Sequence, residues 1–142
     1  MREMNVISRC QAAYRTAELG CPDITGAHHS FILAVCHTPG ASQDELSRRL
    51  ALNKSSVARA LAHLEGLGYV SREQDKRDKR VIRVYPTEKM LLIYPVEKRI
   101  TEEWNRAVLS GISEDEIAVF RSVLKKMEER ARELCPGGKK CD

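Results

Sequence analysis

Between Ser42 and Gly68 the chain reads SQDELSRRLALNKSSVARALAHLEGLG, and that stretch leaves few folds open. Ser42 with Glu45 three residues on fits a capping box, in which each side chain satisfies an orphan backbone donor at a helix start. Leu46 and Leu50 give this first helix a core face, and it ends near Ala51. Only a brief turn, Leu52 and Asn53, follows before the next helical pattern. Asn53 is a good N-cap for a second helix from Lys54, closed by Gly66 or Gly68. Two capped helices joined so tightly form a helix-turn-helix.

At about 100° per position, Val57, Leu61 and Leu64 of the second helix share one face. Ser55, Arg59, Ala62 and His63 fall on the other, with Ser56 at its flank. That outer face has no acid and no bulky apolar group. Small residues allow close approach to a base edge, hydroxyls and imidazole supply hydrogen bonds, and arginine supplies positive charge; a helix entering the major groove needs all three. Taken alone the pattern also suits any amphipathic surface helix, so its neighbours decide.

They decide for nucleic acid. YVSRE and RVIRVY read as two short strands flanking DKRDKR, a tip with four bases and two acids. Helix-turn-helix followed by a basic hairpin makes a winged helix-turn-helix, whose tip reaches a minor groove where negative potential attracts arginine. Arg77 is the candidate, with Asp75 expected to hold its guanidinium through a charge-assisted bond and Asp78 to do the same for Arg80.

The ends of the chain are helical. Val6, Cys10, Tyr14 and Ala17 form a stripe over residues 5–19, GCPD breaks it, and a second helix runs from about Thr25 to His37 until the Pro39-Gly40 pair. Thr87 caps a long helix to about Ser110, expected to kink at Pro95, with a stripe through Val96, Ile100, Trp104 and Val108. A second capping box, Ser113 with Glu116, opens the last helix, with Ile112 and Ile117 as its hydrophobic staple, and Pro136 and two glycines close it before a loose tail. Ile117, Phe120, Leu124, Met127, Ala131 and Leu134 recur there at spacings of three, four, three, four and three, an a/d seam. With the middle of the chain committed to the helix-turn-helix, the seam is expected to bury itself in a homodimer, packing against the first or fifth helix being the alternative.

Residues 37–89, HTPGASQDELSRRLALNKSSVARALAHLEGLGYVSREQDKRDKRVIRVYPTEK, resemble the DNA-binding core of the MarR (multiple-antibiotic-resistance regulator) family. The motifs that carry the resemblance are PG.SQ.EL, the KSSV.R.L..LE..G helix, the D.R wing at Asp75 and Arg77, and the TEK helix start; Met90 stands where the family usually has glycine. The resemblance implies a mainly helical chain with a small β-wing, one domain over 1–142. Residues 37–89 would be its DNA-binding core, and about 1–22 and 105–136 its dimerisation helices. It implies a homodimeric transcription regulator, often a repressor, on double-stranded DNA with an inverted-repeat operator, released by a small-molecule effector or by cysteine oxidation. The expected DNA contacts are Ser42, Gln43, Lys54, Ser55, Ser56, Arg59, His63, Asp75, Arg77 and Arg80. By analogy with the family, the effector pocket lies near Tyr14, Arg15, His28 and Ile32.

Composition narrows the alternatives. The net charge of +4 permits a nucleic-acid partner without demanding one. No apolar run approaches the roughly 20 residues of a membrane span, and the start has no apolar signal core, so a cytoplasmic protein is expected. Five cysteines, Cys10, Cys21, Cys36, Cys135 and Cys141, in irregular spacing and with no CxxC pair, suit neither a disulfide framework nor a structural zinc site. Cys10 and Cys36 lie on apolar stripes and read as small buried hydrophobes, a thiol-sensing regulator being the alternative. His28, His29 and His37 lack acidic or cysteine partners for a metal, so neither metal nor cofactor is expected. No nucleophile motif, Gly-rich phosphate loop or acidic pair supports an enzyme such as a cysteine/histidine hydrolase. A protein-interaction module on the same fold would leave the wing arginines without a purpose.

Overall fold

The computed structural model describes residues 1–26 and 28–134. Six helices and three strands follow in the order α1 (Arg2–Leu19), α2 (His29–His37), β1 (Ala41–Ser42), α3 (Gln43–Leu50), α4 (Lys54–Gly66), β2 (Val70–Gln74), β3 (Ile82–Pro86), α5 (Glu88–Val108) and α6 (Glu114–Leu134). The expected mainly helical winged architecture is present, and its local signals act as read. Ser42 and Glu45 close a full capping box, and the Asn53 and Thr87 side chains accept from the amides of Ser56 and Met90. The Ser113–Glu116 pair forms both its bonds, at 3.0 and 3.3 Å.

Two features differ from expectation. Helix α2 starts at His29 rather than Thr25, because Thr25–His28 closes a tight turn, His28 N–H to Thr25 C=O at 2.8 Å. That turn lies hard against α1: a Cβ on Gly26 would stand 2.8 Å from the Ala12 Cβ. Secondly, the wing is not an isolated hairpin. It is a three-stranded antiparallel sheet in the order β1-β3-β2, with Ala41 opposite Val84 and Ser42 opposite Arg83.

The core gathers under α3 and α4. Phe31, Ile32 and Val35 of α2, Leu46 of α3, Val57, Leu61 and Leu64 of α4, Tyr69, Val84 and Met90 are all buried, and Leu50 packs against them from the edge. Met90, the departure from the family pattern, is fully buried here. Between α3 and α4 the chain turns through Ala51 at φ 53°, a left-handed conformation that lets so short a connection reverse direction.

Helices α1 and α6 have no buried residue at all. On α6 the seam residues Phe120, Met127 and Leu134 are exposed, as are Val119 and Val123 beside them, and α1 adds Met4, Val6 and Ile7. Internal packing therefore does not consume the α6 seam. Near its end α6 meets α3 through Arg132 Nη1, which donates to the Arg48 carbonyl at 2.8 Å. The closing residues Pro136 to Asp142, with Cys135 and Cys141, lie outside the described residues.

Candidate nucleic-acid interface

The outer face of α4 is built as the periodicity requires. Val57, Leu61 and Leu64 are fully buried, while Lys54, Ser55, Arg59, Ala62 and His63 are exposed and Ser56 is half-buried. The serines also serve the cap: the Asn53 side-chain oxygen accepts from the Ser55 hydroxyl at 2.8 Å and from the Ser56 amide at 2.7 Å. Lys54 lies 2.7 Å from Asp44 of α3, both well exposed. Among the described residues Arg59 has no hydrogen-bond or ion-pair partner, so its guanidinium is available. His63 stacks on His28, ring centroids 4.9 Å apart. That contact joins α4 to the turn before α2, and burial together with the neighbouring His63 and His29 holds the His28 imidazole below its usual value.

On α3, Ser42 is occupied by its capping box and Gln43 is half-buried. These two stand at the N-terminal end of α3.

The wing corrects one pairing. Asp75 does not hold the Arg77 guanidinium. Its Oδ1 accepts from the backbone N–H groups of Arg77 and Asp78, at 2.8 and 3.0 Å, and its Oδ2 from Arg83 Nε at 2.8 Å. The reason is the hairpin's geometry: β2 and β3 run antiparallel with Gln74 opposite Ile82, so one carboxylate oxygen meets Arg83 of the next strand while the other accepts from the tip's backbone. The Arg83 bond first, then the two amides, pull the Asp75 carboxyl down to about 2. What that lowering contributes to stability is complete above the ordinary value of 3.8 and is lost as pH falls towards about 2. Arg83 goes on to donate to the Gly40 carbonyl at 3.1 Å and lies 3.6 Å from Glu45. The expected Asp78–Arg80 pair is present at 3.2 Å, with Arg80 almost fully exposed. Lys76, Arg77, Lys79 and Arg80 all project from the tip.

A brace that the sequence reading missed connects wing and helix. Glu65, near the end of α4, accepts from the backbone N–H and the guanidinium of Arg72 on β2, at 3.1 and 2.9 Å. The recognition face and the basic tip are thus fixed relative to each other.

The four residues expected around an effector lie on α1, on α2 and in the turn before α2. Ile32 is fully buried in the core. Tyr14 packs on Trp104 with centroids 5.3 Å apart, His28 stacks on His63, and Arg15 Nε lies 3.6 Å from the buried Glu97. Neither the groove beside Thr38, Gly40, Leu46 and Arg83 nor the one between Met4 of α1 and Leu124 and Met127 of α6 includes any of them. Cys10 is exposed, contrary to the reading of it as a buried hydrophobe. Cys36 is half-buried, and burial pushes its thiol up to about 11, which keeps it protonated and unreactive. Among the described residues no three His, Cys, Asp or Glu side chains gather as they would around a metal ion.

Comparison with known proteins converges on one group. Residues 23–81 match the model of the MarR family. Over its whole length the chain is 26% identical to the HTH-type transcriptional regulator YybA of Bacillus subtilis strain 168, of which it covers 97%. Among solved structures, the transcriptional regulator SlyA is 29% identical with a TM-score of 0.88, over 93% of each chain. A Listeria monocytogenes protein described as a MarR family transcriptional regulator, complexed with 26mer DNA, is 26% identical with a TM-score of 0.87, covering 99% of this chain and 97% of that one.

Proposed function

Starting from a chain that belongs to the MarR family of transcriptional regulators, we propose that it is a homodimeric, sequence-specific repressor on double-stranded DNA. In this reading residues 37–89 are the DNA-binding core. Helix α4 reads a major groove through Arg59, Ser55, Ser56 and His63, Lys54, Ser42 and Gln43 lie against it, and Arg77 and Arg80 enter the adjoining minor groove. The observation that carries the proposal is an acid-free helical face and a tip of four exposed bases braced into one unit by Glu65–Arg72. The DNA-bound Listeria relative supports it.

Residues 1–22 and 105–136 supply the dimer interface, centred on Ile117, Phe120, Leu124, Met127 and Leu134, because a single chain leaves so much apolar surface on α1 and α6 uncovered. Release by a small molecule, with Tyr14, Arg15 and His28 near its seat, is preferred to thiol sensing at Cys36, whose reactivity burial suppresses. We read the chain as a regulator rather than an enzyme, at work in the cytoplasm; among the described residues no helix is long and apolar enough to cross a membrane.

Selection of random duplexes on the purified protein is the direct test. The expected product is an inverted repeat with half-site centres about one helical turn, roughly 10 base pairs, apart. Recovery of a single asymmetric half-site by a monomer would overturn the reading.

Asp75→Ala gives a second expected result. Deleting an acid near DNA should tighten binding by charge alone. Here it removes the three bonds that shape the tip, so weaker binding is expected, with the salt dependence preserved because all the bases remain. Tighter binding, measured by fluorescence anisotropy across a salt series, would show that the wing acts only as a charged loop.

A further inference from the structure

One buried feature is not used by the DNA-contacting surface. Glu97 of α5 is fully buried, in contact with His29 of α2 and Arg15 of α1. Its Oε2 lies 2.6 Å from His29 Nδ1, also fully buried, and its Oε1 lies 3.6 Å from Arg15 Nε. Among the described residues three buried atoms of this cluster, Arg15 Nε, His29 Nε2 and Glu97 Oε1, have no hydrogen-bond partner. Next to His29 along the backbone, His28 in the turn before α2 stacks on His63 of the recognition helix.

Charges buried with bonds left unmade are a poor way to hold helices together. Apolar side chains of similar volume often serve stability as well or better. What such a cluster supplies is a single allowed arrangement, since polar contacts joining three helices are satisfied at one set of distances while a hydrocarbon seam tolerates sliding. Its members come from three different helices. Helix α1 belongs to the uncovered apolar face, α2 lies at the centre of the core beneath α3, and α5 connects the two regions.

We propose that Glu97 is a positioning residue for DNA recognition: through Arg15 and His29 it fixes the angle between the dimerisation helices and the DNA-binding core, and thereby the separation of the two recognition helices in the dimer. This rests on the dimeric DNA-binding reading above. An angular change at each joint displaces both recognition helices, so the selected half-site spacing, rather than the half-site sequence, depends on Glu97.

The test uses the half-site recovered by selection, paired at the preferred spacing and at spacings a base pair shorter and longer, with the isolated half-site as reference. Glu97→Gln removes the charge and keeps the shape. The triple variant Arg15→Met, His29→Leu, Glu97→Leu removes every titratable group of the cluster, so no lone buried charge remains to unfold it. Both are expected to bind the isolated half-site as the wild type does, while discrimination between spacings falls about fivefold or more, the size of a modest coupling between sites. Unchanged spacing discrimination in both variants, whatever their melting temperatures, would overturn the role of Glu97. A wild-type protein indifferent to spacing would instead overturn the dimeric reading, and this proposal with it.

Discussion

Leu61→Ala is expected to destabilise the protein by about 2–5 kcal/mol, since truncating a fully buried leucine loses its transfer free energy and leaves a cavity. Leu61 stands between Val57 and Leu64 on the inner face of α4, against the single core formed with Phe31, Leu46 and Met90. Little can move into the space, because α4 is held at its start by the Asn53 cap and near its end by Glu65–Arg72. Urea unfolding at a fixed protein concentration would read the loss as a lower midpoint with an unchanged slope. A loss well under 1 kcal/mol would mean that α4 is not seated in a packed core, and its value as a rigid reading head would then go too.

Arg59→Ala is the opposite kind of change. The guanidinium is exposed and has no partner among the described residues, so stability should be unaffected. Specific DNA affinity should fall by about 1–3 kcal/mol, with preference blurred at particular base positions, if the side chain meets a base edge. Repeating the duplex selection on the variant distinguishes the two modes of contact. An equal loss on every sequence would reduce Arg59 to a phosphate contact.

What the sequence made legible was whatever is decided locally. The caps at Ser42, Asn53, Thr87 and Ser113 depend on side chains within three residues of the backbone they serve, and all four form. The two faces of α4 follow from helical period alone. Strand β1 was missed because two residues have no alternation to read; they are a strand only because Val84 and Arg83 lie opposite. Asp75 was assigned the arginine two residues away, whereas its partner is eight residues on, across a register that no local pattern discloses. Glu97 left a trace that was overlooked. It stands four residues after Ile93 and three before Ile100, an acid at helical spacing on a stripe that packs inward. The effector residues were placed by analogy without any supporting periodicity, and each is engaged within the chain: Tyr14 with Trp104, Arg15 with Glu97, His28 with His63, and Ile32 in the core.

The two residues of β1 bear on how long the protein stays on its operator. Ser42 both starts α3 and pairs with β3, and the Gly40 amide donates to the Val84 carbonyl at 2.8 Å, so the wing is stitched to the segment that opens the helix-turn-helix. A wing on a loose hinge could leave its groove while α4 stayed behind, and dissociation would proceed by peeling. In the docking proposed above, wing and helix stitched in this way would vacate their grooves in one motion. The residence time is then set by the summed contacts of both, and because affinity differences within one interface fall mainly on the off-rate, loosening β1 should shorten that time even with every DNA-contacting side chain still in place.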